Sequence, residues 1–301
     1  MSFSAGDAAF EGFRVVRRSP VALVFWALAY LAFTTLIFAA VGGPLIAIMA
    51  EAQRIGASGG MATPEDVEPL MAAYLSVFPL IIPLSLLFNA VLAAAVARSV
   101  LEPGRKAFGY LRLGMDEVRV AVVSVVLAVL AFAAYMILAI VVGAVAGIAG
   151  TLMGGGSSNF LVAFLAMVVV VGVMIWLFAR FSLAVPITVA EKRMAFFDSF
   201  AMTRGCTWQI IGLAVIAWVM TMVVALLGLL VCLPIIMAVG GFHRLIMMEG
   251  ASSLEMFQAL GPVVLVMLLV QSVLSALQLA VLYAPFSAAY RDLKGTKGAA
   301  A

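Results

Sequence analysis

Charge is scarce in this chain. Only 10% of its residues are Asp, Glu, Lys or Arg, and 66% are hydrophobic. A soluble domain carries about a quarter charged residues, so the shortage excludes an ordinary water-facing surface. Histidine is rarer still, with His243 the single example. One histidine, and no acid cluster inside an apolar run, argue against a histidine-based metal centre and leave few groups for acid–base catalysis. Two cysteines, Cys206 and Cys232, make no disulfide framework and read as small apolar fillers. No Asp, Glu or Lys lies deep in an apolar run, which weighs against a proton relay or a charge-coupled pump. The segment MGGGSS lacks the Gly-Lys-Ser/Thr ending that cradles phosphate. Gly154, Gly155 and Gly156 are therefore expected to form a flexible turn.

What the chain has instead is long uncharged intervals. They cover 32 residues from Arg18 to Glu51, 29 from Glu68 to Arg98, 60 from Arg119 to Arg180, 39 from Arg204 to Arg244 and 35 from Glu255 to Arg291. A helical span needs about 20 residues, and the interval of 60 holds two with a turn. Six spans are expected, near 21–42, 73–97, 120–148, 160–185, 209–238 and 262–288. The runs are too long and too unbroken for barrel strands. The first is also longer than the apolar core of a cleaved signal peptide. The expected fold is an all-α polytopic helical bundle.

Lys and Arg are distributed unevenly. Fifteen of the 17 fall in the N-terminus, the second-to-third and fourth-to-fifth connections and the tail. Only Arg54 and Arg244 fall on the other side, while the acids divide eight to six. The positive-inside rule then places both termini in the cytoplasm. The pI near 9.0 fits anionic lipid headgroups better than nucleic acid, and no nucleic-acid partner is expected. The outer connections, 43–70 and 239–260, carry Glu51, Glu65, Asp66, Glu68, His243, Arg244, Glu249 and Glu255.

Three basic-side segments have amphipathic spacing and read as short interfacial helices: 7–18, 105–119 and, less regularly, 191–204 with Phe196, Phe197 and Phe200. Each contains an Ala-Phe pair and precedes a pair of spans, a pattern compatible with three repeats. The reading divides the chain into an interfacial helix at 1–20, a membrane domain at 21–290 and a cytoplasmic tail at 291–301. Within the spans, Gln271, Ser275 and Gln278 share one helix face and Asn89 lies in the second span. Such groups join helices by hydrogen bonds or line a path for a small molecule. Gly143 and Gly147 form a GxxxG, expected to pack closely against another helix. Arg180 either snorkels to lipid phosphates or, if its helix runs on to Ala190, needs an acid from the basic-side connections.

The most mixed stretch is FSLAVPITVAEKRMAFFDSFAMTRGCTWQIIG, Phe181 to Gly212. Pro186 is expected to bend or end a span. Glu191, Lys192 and Arg193 draw the chain into water, and the phenylalanines return it to the interface. Gly205 suits a left-handed helix stop, and Trp208 anchors the next span. Arg204 is free to meet a lipid phosphate, Glu191 or Asp198. The order Pro186, Glu191, Ser199, Thr203-Arg204-Gly205 and Trp208, with Tyr290-Arg291-Asp292-Leu293 after the last span, resembles the membrane domains named after glycerophosphoryl diester phosphodiesterases. The resemblance implies a prokaryotic six-helix protein of the plasma (inner) membrane whose role is uncharacterised. It does not imply phosphodiesterase activity, because the hydrolase of the name is a separate soluble domain.

These observations lead to the expectation of a non-enzymatic integral membrane protein. It would organise lipids or a partner membrane protein at the cytoplasmic face, with no cofactor, metal or catalytic residue. Arg112, Arg180, Glu191, Arg204 and Trp208 are the candidate lipid- or partner-binding residues. The alternative is a passive or weakly coupled translocator of a small apolar or zwitterionic molecule, or of a lipid, along Asn89, Gln271, Ser275 and Gln278.

Overall fold

A computed structural model describes residues 4–57, 64–104, 107–112, 114–152, 157–238 and 253–298. His243, Arg244, Glu249, Gly154, Gly155, Gly156, Arg105 and Lys106 lie outside the described residues. In chain order the α-helices are α1 (Ala5–Ala9), α2 (Glu11–Arg18), α3 (Pro20–Ala57), α4 (Pro64–Leu101), α5 (Met115–Leu152), α6 (Ser157–Phe181), α7 (Ala184–Glu191), α8 (Asp198–Met202), α9 (Thr207–Ala238) and α10 (Ser253–Gly298). Every regular element among the described residues is helical.

Six of these regions are long and apolar enough to cross a membrane: Pro20–Gly43, Val77–Leu101, Phe108–Leu152, Phe160–Glu191, Thr207–Ala238 and Val263–Gly295. The chain is a multi-pass membrane helical bundle. Phe132, Ile140, Phe160 and Leu230 stand exposed on its outside, which suits hydrocarbon and not water. The helices outrun several expected limits. Residues 43–70 read as a connection, yet α3 continues to Ala57 and α4 begins at Pro64. Pro64 stands at the first helical position, where its missing N–H costs nothing. Helix α10 likewise runs on through the basic residues of the tail to Gly298.

Helix α10 is the hub. It packs against α3, α4 and α9 and receives α1, α2 and α7 at its C-terminal end. Its buried face is rich in small residues, including Ala276, Ala280, Ala284, Ala288 and Ala289. Small side chains let helix backbones approach, which matters where no hydrophobic effect drives association. Gly12 shows how close that approach becomes. A Cβ there would lie 2.5 Å from Val281 Cα and 2.7 Å from the Ala280 carbonyl oxygen, so no side chain fits between α2 and α10. Gly228 plays a milder version of this part against Leu274. The GxxxG expectation is not met among the described residues. A Cβ at Gly143 or Gly147 meets nothing within 4 Å, and this part of α5 faces outward.

The three basic-side segments are not three equal amphipathic helices. The first forms α1 and α2, divided at Phe10, with Glu11, Gly12 and Val15 buried against the bundle. In the second, Phe108, Gly109 and Tyr110 take positive φ of 49°, 65° and 64°, a left-handed turn, and helix begins only at Met115. Tertiary contacts impose that turn. The buried Trp26 indole N–H donates to the Gly109 carbonyl at 2.7 Å, and a Cβ at Gly109 would come within 2.8 Å of Phe25 Cβ. The third segment keeps only the short α8.

Candidate functional site at the basic end of the bundle

The stretch after α6 does not break where its proline suggests. The helix turns at Ser182–Leu183, and Pro186 lies in the first turn of α7, where proline is tolerated. The break is stitched from outside by Ser199 of α8. Its hydroxyl donates to the Arg180 carbonyl at 2.6 Å and accepts from the Leu183 N–H at 3.2 Å. Two backbone groups orphaned by the turn are thereby satisfied by one buried side chain. Thr188 does similar work, donating to the Ala184 carbonyl and accepting from the Ala195 N–H. Helix α7 ends at Lys192 in the left-handed conformation, and Gly205, with φ of +92°, turns the chain before α9.

This folding gives Arg180 an unusual setting. Nη1 donates to the Phe200 carbonyl at 3.3 Å and to Thr203 Oγ1 at 3.4 Å. The guanidinium carbon sits 4.7 Å from the Phe200 ring centre and 5.4 Å from that of Trp176, within cation–π range. Nε is buried and makes no hydrogen bond. No carboxylate pairs with Arg180 among the described residues, so the acid expected for a buried arginine is replaced by neutral oxygens and ring faces. The same side chain lines a half-open groove of about 580 Å³ between α6 and α9, together with Trp176, Gly205, Thr207 and Trp208. Trp208 is 84% exposed.

The remaining sequence candidates divide. Arg112 and Arg204 are exposed. Arg204 meets neither Glu191 nor Asp198, because Arg193 holds both acids, at 2.8 and 2.9 Å. Those two bonds hold the Arg193 guanidinium above its ordinary pKa, and they pin the end of α7 to the start of α8. Glu191 also accepts from the Tyr290 hydroxyl at 3.3 Å and from Lys294 at 3.5 Å, fastening α7 to α10. Glu191 is thus part of an internal clasp, while Arg180 and Trp208 share an open groove.

Two further charge sites escaped the sequence reading. Glu11 is buried and gathers Arg14 at 3.2 Å, Arg18 at 3.4 Å and Arg291 at 3.9 Å, tying α2 to α10. Arg98 of α4 and Glu117 of α5 form a buried ion pair, each side chain 5% exposed. Arg98 also donates to the Tyr110 carbonyl, and Glu117 Oε2 accepts from the Gly114 N–H at 2.9 Å. That last bond is the Glu half of a helix N-terminal capping box, the glycine having no side chain to return it. A readable signal was present: Gly114 stands three residues before Glu117 at the head of an apolar run.

The intramembrane polar residues do not share one cavity lining among the described residues. Asn89 lines a cavity between α4, α5, α6 and α10, donating to the Ser85 carbonyl at 2.9 Å. Gln271, Ser275 and Gln278 are absent from that lining, and Gln271 instead donates to Ser275 one turn along at 3.3 Å. Neither Cys206 nor Cys232 is in a disulfide, and no group of three metal-ligating side chains occurs among the described residues. Comparison with family models, with curated proteins and with solved structures found no match.

Proposed function

We propose that this chain is a non-enzymatic integral membrane protein that holds anionic lipid headgroups at the cytoplasmic face of a prokaryotic plasma membrane. The family resemblance of the Pro186–Trp208 pattern and the positive-inside distribution of Lys and Arg belong to this reading, which takes both termini as cytoplasmic. One observation carries it. Arg180 is a partly buried cation with no carboxylate partner among the described residues, wedged between aromatic rings and lining a groove shared with an exposed tryptophan. A desolvated charge needs compensation. A phosphate reaching the groove would supply it through charge-assisted hydrogen bonds, which an arginine fork makes well. Arg112 and Arg204, exposed at the same end, would add attraction to the anionic surface of about 1 kcal/mol each.

The test is lipid enrichment. Protein purified from mixed phosphatidylcholine and phosphatidylglycerol membranes should retain phosphatidylglycerol above its bulk fraction. Arg180→Gln should lower that preference about fivefold, the equivalent of 1 kcal/mol. Arg112→Glu with Arg204→Glu should weaken the remainder. Equal enrichment in Arg180→Gln and wild type would overturn the assignment of the groove.

A further inference from the structure

The opposite face of α6 carries a separate site. Gly172, Ile175, Trp176 and Arg180 face the groove, whereas Met174, Leu177, Phe178 and Phe181 face the cavity that holds Asn89. The two sets differ by the rotation expected of a helix. The cavity measures about 540 Å³, within the range of small-molecule sites. It lies between α4, which supplies Asn89 and Ala93, and α6, with α5 along one side and Tyr283 of α10 on the other. A smaller cavity of about 170 Å³ shares Phe178, Phe181, Ser182, Val185 and Tyr283 with it and extends toward Pro186 and Ser287.

We propose that this cavity binds a single uncharged amphiphile, a hydrocarbon chain ending in a hydroxyl-bearing head such as a long-chain alcohol or a monoacylglycerol. The lining decides the class. It contains no charged side chain, so an ionic head would lose its hydration without gaining a partner. It is mostly apolar, but Asn89, Ser124, Ser182 and Tyr283 bring hydrogen-bonding groups to it. Asn89 spends one of its two Nδ2 hydrogens on the Ser85 carbonyl, and its Oδ1 makes no bond among the described residues. Ser182 donates to the Ala179 carbonyl at 2.9 Å and keeps lone pairs to accept with. The Ser124 hydroxyl makes no bond to the described protein. The lining therefore offers free acceptors and free donors together, the complement of a hydroxyl head, which both donates and accepts. The site uses no atom of the Arg180 groove and stands whether or not that groove binds lipid.

The full chain in phosphatidylcholine nanodiscs would be photolabelled with a diazirine-bearing long-chain alcohol and the adducts mapped. Label is expected on the cavity-facing residues of α4 and α6. Unlabelled monoacylglycerol should compete, and an alkyl sulfonate of equal chain length should compete about tenfold less well. Ala131→Phe and Ala128→Phe place a ring in the cavity and should each lower labelling at least about fivefold, with Arg180→Gln leaving it unchanged. Adducts spread evenly over the outward face of α5 would overturn the proposal, as would equal competition by the sulfonate or undiminished labelling in both filled variants. The competition arm needs only the wild-type protein, so a variant that fails to fold leaves the question answerable.

Discussion

Arg98 and Arg180 each stand near the basic end of a long apolar helix, yet the chain completes them differently. Arg98 meets Glu117 across the α4–α5 junction, with both side chains sealed from solvent. Arg180, at the α6–α9 junction, meets a carbonyl, a threonine hydroxyl and two rings. The first junction is closed electrostatically: its cation has its own anion, and Glu117 also caps the helix that presents it. The second borders an open groove and, among the described residues, its charge is not cancelled by a carboxylate. The difference separates two uses of arginine at a membrane boundary. A fully buried one must be neutralised by the protein. One that lines a groove remains available to neutralise something else.

The largest effect should come from breaking the closed junction. Glu117→Ala leaves Arg98 buried without its anion, and removing one partner of a buried pair costs about 3–5 kcal/mol. Chemical unfolding in detergent should show that loss. The double variant Arg98→Met with Glu117→Leu should be more stable than Glu117→Ala alone, because an apolar pair removes both desolvation costs. A Glu117→Ala protein within about 1 kcal/mol of wild type would show that water or lipid reaches Arg98, and the contrast between the junctions would collapse.

The open junction depends on geometry more than on charge, and Ser199 is its keystone. Ser199→Ala leaves the Arg180 carbonyl and the Leu183 N–H unpaired in a buried place, a cost of about 1–3 kcal/mol. It should also reduce anionic-lipid enrichment, since α8 carries both Phe200, which stacks on the guanidinium, and the chain leading to Thr203. Loss of stability with lipid preference intact would mean that the groove tolerates movement of α8. Arg180→Gln should show the reverse profile. It removes cation–π contacts worth about 0.5–1 kcal/mol and should barely move the unfolding midpoint, while the lipid preference falls.

Long uncharged intervals exposed the six spans, because the bilayer constrains length and polarity more strictly than it constrains sequence. Arg180 and Trp208 were readable for the same reason. What escaped depends on which helices meet. The spacing around 105–119 looked amphipathic, but Trp26, more than 80 residues earlier, holds Gly109 in a left-handed turn that local periodicity cannot announce. Pro186 was a misleading breaker, because the turn is stabilised by Ser199, 16 residues later than the Leu183 N–H it receives. Gly143 and Gly147 carried a recognisable packing motif with no helix against it among the described residues, whereas Gly12, in no motif, is locked on the α10 backbone. Close packing was therefore set by the partner surface and not by the glycine pattern.

The smallest effect should come from the third arrangement of charge at this end, the clasp around Glu191. It pairs with Arg193, Lys294 and Tyr290, yet its side chain is 25% exposed and those of its two basic partners are more than half exposed. Exposed pairs lose most of their Coulomb energy to water and to the ordering of long side chains. Glu191→Gln should cost about 0.5 kcal/mol at low ionic strength, and added salt should erase the difference, since screening acts on solvent-facing charges. The Arg98–Glu117 pair, shielded from ions, should show no such salt dependence. A salt-independent loss in Glu191→Gln comparable to that of Glu117→Ala would place the clasp with the closed junction. Its number of partners, and not its exposure, would then set its strength.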